Sequence, residues 1–117
     1  MKQRIVVYPP TGSTYHDLVL DNGLKVLVCE MPGFSGVHAA FTADYGSTQR
    51  SFFHNGKHTV LPAGVAHFLE HKMFENENED AFELYAKTGA SANAYTSFNK
   101  TSYIFSASEN VDEALDI

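Results

Sequence analysis

Gly64-Val65-Ala66-His67-Phe68-Leu69-Glu70-His71-Lys72-Met73-Phe74 is the stretch from which the rest of the chain is best read. Pro62 stands just ahead of it, where a first-turn helix proline belongs, and Ala63 to Glu75 reads as a helix. At about 100° per residue, with His67 set at 0°, Glu70 falls near 300° and His71 near 40°. Val65, Phe68, Leu69 and Met73 fall between about 100° and 240°, on the opposite side. The periodicity therefore predicts that these four bury against a sheet, back to back with a face bearing two imidazoles and a carboxylate.

That second face has a chemistry. Histidines at i and i+4 can place two ring nitrogens about 2.0–2.1 Å from one Zn²⁺. The intervening Glu70 cannot reach the same metal without straining the helix, but it lies where a carboxylate can take a proton from an attacking water. H-x-x-E-H is H-E-x-x-H in reverse order, and a helix run in the opposite direction recreates the same local geometry. With this chain's His and Glu content, the pattern arises by chance in roughly 2% of such sequences. The simpler alternative is a helix with two surface histidines and an ordinary i,i+4 pair. The remaining histidines read as structural. His16 and His38 fall in strand patterns, and His54 and His58 are separated by Asn55-Gly56, which breaks any helix that would align them on a metal.

Nearer the N-terminus, Tyr15, Leu18 and Leu20 precede Asp21-Asn22-Gly23, and Leu24 to Val28 follow, which predicts a hairpin. Residues 1–13 read as an extended lead-in, and 14–117 as one domain. Val37 to Tyr45 reads as a strand and 46–60, polar and broken by Asn55-Gly56, as a long exposed loop. A second helix is expected from Asn78 to Gly89, with Glu79 and Asp80 in its acidic first turn. Strands follow at Ala92–Phe98 and Ser102–Ser106, and a last helix begins at Ser108. That helix meets Ile117 after about two turns without a stop signal, which reads as an element cut short. The fold class expected is α+β: an antiparallel sheet formed by the hairpin, strand 37–45 and the strands near 92–106, with helices packed on one face.

Composition bounds the rest. Of 117 residues, 44% are hydrophobic and 19% charged, as in a folded globular chain. Eight Lys and Arg against 14 Asp and Glu leave a formal charge of −6, which argues against nucleic acid or an anionic membrane as the main partner. No apolar run approaches the roughly 20 residues of a spanning helix. The one cysteine, Cys29, reads as a packing residue in a strand, and its solitude suits a reducing, cytoplasmic setting.

The helix segment resembles the pitrilysin/insulinase family of zinc peptidases, the inverzincins. Gly64, Ala66, His67, Phe68, Leu69, Glu70, His71 and Phe74 match its Gly-x-Ala-His-Phe-Leu-Glu-His-x-x-Phe pattern. Gly89-Ala90-Ser91-Ala92-Asn93-Ala94-Tyr95-Thr96 resembles the family's Gly-x-x-x-Asn-Ala-x-Thr strand, Thr101 and Tyr103 follow as expected, and Leu18 to Val26 resembles its Asn-Gly hairpin. The wording is most similar to bacterial YmfH-like members. The resemblance implies a half-domain of the processing-peptidase type, with His67 and His71 as zinc ligands and Glu70 as general base. It implies that Asn93 and Ala94 lie on an edge strand pairing with an extended peptide substrate, and that Phe74 lines a side-chain pocket near the metal. It also implies a third ligand, a Glu beyond residue 117, and a second homologous half-domain or partner chain. The 117 residues are then an incomplete N-terminal catalytic domain, inactive alone. The alternative within the family is a partner-dependent, non-catalytic subunit that binds peptides, though such members commonly lose the motif that is intact here.

Overall fold

Turn chemistry sets the strands. In the computed structural model, which describes residues 1–117, the two Asn-Gly pairs make different turns. Asn22-Gly23 closes a three-residue loop: Gly23 N–H donates to Leu20 O at 2.9 Å, and Gly23 alone takes a positive φ, 88°. Asn55 and Gly56 both take positive φ, 49° and 74°, and form a two-residue turn between His54 and Lys57.

The chain divides into two units, Met1–Phe34 and Ser35–Ile117. The first contains β1 (Lys2–Tyr8), β2 (Ser13–Val19) and β3 (Lys25–Val28), antiparallel in the order β1-β2-β3. Residues expected as a lead-in thus form a paired strand. Arg4 lies opposite Asp17, and its Nη2 and Nε donate to Asp17 Oδ2 at 2.6 and 2.8 Å, which partners a carboxylate that is only 6% exposed. Cys29 falls just past β3 and is exposed, its thiol 3.6 Å from Thr14 O, so it is not the packing residue expected.

The second unit contains β4 (Val37–Ala43), β5 (Ser51–His54), β6 (Lys57–Val60), α1 (Val65–Lys72), α2 (Ala81–Thr88), β7 (Ser91–Thr96), β8 (Thr101–Ala107) and α3 (Val111–Asp116). Its main sheet is antiparallel with the order β4-β8-β7, and β5-β6 is a separate hairpin. The class is therefore α+β, as expected, although the strands do not join one sheet: β2 pairs with β1 and β3, and β4 pairs with β8. The polar loop expected at 46–60 is largely the β5-β6 hairpin, in which His58 lies opposite Phe53 and stacks on its ring, 4.6 Å between centroids. Helix α2 starts three residues later than expected because Asp80 is its N-cap, its side chain accepting from Phe82 N–H at 2.7 Å. No helix is long and apolar enough to cross a membrane.

The core is built from small residues and a few rings. Ala90, Phe105, Ala107 and Ala114 are buried together, with Ala39, Tyr85, Ala92 and Val111 packed around them. Phe74 stacks on Phe82 with centroids 4.3 Å apart, and Tyr103 lies 5.9 Å from Phe74.

Gly46 is the glycine most tightly enclosed by neighbouring backbone. The segment is held to the β7–β8 connection by Ser47 N–H to Ser97 O at 2.9 Å and Thr48 N–H to Phe98 O at 3.0 Å. A Cβ at Gly46 would stand 2.5 Å from Asn99 N and 2.6 Å from Lys100 N, both backbone atoms. Gly46→Ala is expected to lower stability by about 1–3 kcal/mol, the scale of an overpacked interior site. Thermal or urea unfolding of the purified variant measures this, and an unchanged midpoint would contradict the close approach.

Candidate metal and acid–base site

Helix α1 has eight residues and no side-chain cap: Gly64 stands at the N-cap in the left-handed region, and the first turn carries no acid. A helix this short is marginal in water, so packing must hold it. The residues that pack are Ala66, Glu70 and Phe74, at 4%, 8% and 9% exposure. Phe68, Leu69 and Met73, predicted to be buried, are 60%, 45% and 66% exposed. The reason lies in the sheet. β7 alternates, with Ala92, Ala94 and Thr96 half-buried and Ser91, Asn93 and Tyr95 exposed. Ala92 and Ala94 are small enough to admit α1 closely, and Thr96 offers Glu70 a polar partner. The arc of α1 that meets the sheet is centred near 300°, the position of Glu70 on the wheel, rather than on the larger apolar side.

Glu70 is consequently a buried acid with a partner: Thr96 Oγ1 donates a short hydrogen bond to its Oε2. Tyr103, on β8, feels the same carboxylate. Burial first, and the negative charge of Glu70 second, raise the Tyr103 phenol above its ordinary range, so it stays neutral at physiological pH.

His67 and His71 stand at the rim of the buried arc, both exposed. Their rings tilt at 50° with centroids 4.8 Å apart, and their Nε2 atoms face each other at 3.0 Å. Two nitrogens bound tetrahedrally to one zinc lie about 3.3 Å apart, given bond lengths near 2.05 Å. One ligating atom from each of His67, Glu70 and His71 falls within 4.8 Å of the others. The paired imidazoles, converging nitrogen to nitrogen, fit a zinc ion.

The other predicted residues are placed as follows. Asn93 and Ala94 lie on β7, which pairs with β8 on one side and with no strand on the other. Ala94 N–H donates to Asn93 Oδ1 at 2.8 Å. Phe74 is buried, stacked on Phe82 and with the Tyr103 ring 5.9 Å away. Glu75 pairs with Lys72. His16 faces Glu30 at 3.4 Å, and His38 contacts Ser106 Oγ at 3.0 Å, each on its own sheet. The motif assigns no role to Thr96 or Tyr103, and the alternation of β7 is the signal that turns the Thr96 hydroxyl toward the helix.

Comparison with known proteins gives a consistent result. The chain is 46% identical over 113 residues to the uncharacterized zinc protease YmfH of Bacillus subtilis, covering 95% of this chain and 26% of YmfH. It is 36% identical over 108 residues to the insulin-degrading enzyme of Drosophila melanogaster, covering 87% of this chain and 10% of that enzyme. The crystal structure of an M16-like peptidase from Alicyclobacillus acidocaldarius matches 98% of this chain and 25% of its own, with a TM-score of 0.81 and 35% identity. The chain thus spans about a quarter, or less, of the length of these relatives. The family model described as insulinase, peptidase family M16, matches residues 56–117, which include α1, β7 and β8. With the H-x-x-E-H helix seated on its Asn-Ala-x-Thr strand, this chain belongs to the insulinase family, peptidase family M16.

Proposed function

We propose that the protein hydrolyses peptide bonds with zinc as its cofactor, and that these 117 residues supply one wall of the active site. The observation that supports this reading is the convergence on α1 of two facing imidazoles and a buried, hydrogen-bonded carboxylate. His67 and His71 hold the metal through Nε2. Zinc, when bound, supplies Lewis acidity that polarises the scissile carbonyl and eases loss of a proton from water. Glu70 accepts that proton and hands it to the departing amine nitrogen. Asn93 and Ala94 hold the substrate extended along the free edge of β7, where backbone hydrogen bonding supplies affinity with little demand on side-chain identity. An incoming peptide carbonyl takes the Ala94 N–H from Asn93 Oδ1, which frees the Asn93 amide to turn toward the substrate.

Catalytic zinc centres use three protein ligands. In our reading the third is a carboxylate from outside these residues, and a second half-domain or partner chain closes the chamber; the isolated 117 residues are then inactive. A reducing compartment, the cytoplasm, suits the exposed, unpaired Cys29.

The test uses protein expressed from its whole reading frame and an internally quenched peptide. Cleavage is expected to stop when a chelator strips the metal and to return with stoichiometric zinc. Undiminished cleavage by protein whose metal content has been measured as zero would refute the reading.

A further inference from the structure

We propose that Thr96 is the positioning residue for Glu70, its hydroxyl fixing the carboxylate in the orientation from which it accepts a proton. The proposal rests on the reading of Glu70 as general base and adds the group that orients it.

Glutamate has three side-chain torsions and normally sits in solvent. On a short, uncapped helix nothing local restrains it. Glu70 nevertheless lies on the buried arc of α1, and Thr96 Oγ1 is hydrogen-bonded to Oε2. A hydroxyl donating to a carboxylate is a charge-assisted bond, stronger than a neutral one. The donor is itself well fixed. Thr96 is β-branched, which restricts its χ1 torsion. Its backbone lies opposite Thr101, and the adjoining turn is closed by Ser97 N–H to Lys100 O at 2.8 Å. Thr101 is anchored in turn, donating from its hydroxyl to Tyr45 O at 2.8 Å. With Oε2 engaged by the sheet, Oε1 is the oxygen left to take the proton. The acid–base group is thus oriented by β7, and the metal-binding pair by α1, so the spacing between them depends on the packing of that helix on that strand.

The proposal is tested in protein from the whole reading frame with Thr96→Val, which keeps the shape and removes the donor, and Thr96→Ser, which keeps the donor. Thr96→Val is expected to lower kcat about 10–100-fold, the cost typical of removing an orienting partner, with KM and zinc stoichiometry unchanged. Thr96→Ser should recover most of the loss. A second readout does not depend on turnover. In metal-free protein with isotope-labelled glutamate carboxyl carbons, the Glu70 resonance is identified by its absence in Glu70→Gln. It should move in Thr96→Val and hold its place in Thr96→Ser. If Thr96→Val does not fold, Thr96→Ala carries the same comparison. An unmoved Glu70 resonance with unchanged kcat overturns the proposal, as does a variant that loses zinc and raises KM in step with its fall in kcat, which would mark Thr96 as packing. Full turnover by Glu70→Gln would instead refute the peptidase reading, and the carboxyl resonance would still decide whether Thr96 holds Glu70.

Discussion

Glu70→Gln is expected to reduce peptide turnover by about 10²–10⁴-fold, the usual contribution of a general base, while zinc content stays at the wild-type level. Glutamine has nearly the same shape, and its carbonyl oxygen can still accept from Thr96, so the seat of α1 on β7 is preserved. What it lacks is a basic oxygen. Because the side chain is 8% exposed, the exchange also removes a buried charge, and thermal stability should hold or rise. That combination separates loss of chemistry from loss of fold. The measurement is steady-state kinetics beside elemental analysis of zinc. Wild-type turnover in Glu70→Gln would show that the proton leaves by another route.

His71→Ala is expected to abolish zinc retention on dialysis and, with it, measurable turnover. On the proposed reading His71 is a direct ligand, and its removal should weaken zinc by more than the 10–100-fold typical of partners one shell out. His71 is exposed in the last turn of α1 and touches His67 rather than the core, so the metal-free variant should unfold within about 0.5 kcal/mol of the metal-free wild type. Competition with a chromogenic chelator gives the affinity, and thermal unfolding of both metal-free proteins gives the control. Wild-type zinc affinity in this variant would exclude His71 from the site.

How much of this was legible beforehand depended on whether the signal was local. The turn at Asn22-Gly23, the Gly89 stop of α2 and the H-x-x-E-H spacing are all set by a few neighbouring residues, and each stands where the pattern predicted. The orientation of α1 is not local. Its apolar arc of Phe68, Leu69 and Met73 was larger than the arc of Ala66, Glu70 and Phe74. The choice between them is made by Ala92, Ala94 and Thr96, which lie on a strand beyond the whole of α2. A helical wheel ranks faces by hydrophobicity, whereas packing also ranks them by fit and by whether a buried acid finds a donor. The β5-β6 hairpin is hard to read for a different reason: its strands are only four residues long, and the adjacent Phe52 and Phe53 break the alternation that would mark a strand beside Asn55-Gly56. Thr96 illustrates the same limit at the site, since a threonine ending a strand looks structural until the carboxylate it meets is placed.

The position of β8 in the middle of its sheet has a consequence for the order of assembly. β7 finds β8 across a short turn, but β4 must find it across a long loop: Thr42 and Ser102, which share a 2.8 Å hydroxyl contact, are 60 residues apart, and His38 and Ser106 are 68 apart. Closing loops of that length is entropically expensive and makes such sheets slow to form. During synthesis, α1 leaves the ribosome well before Thr101–Ala107, and as a short helix it has no platform until β7 and β8 pair. The contact between Glu70 on α1 and Thr96 on β7 is therefore made late, once the sheet that carries Thr96 has formed.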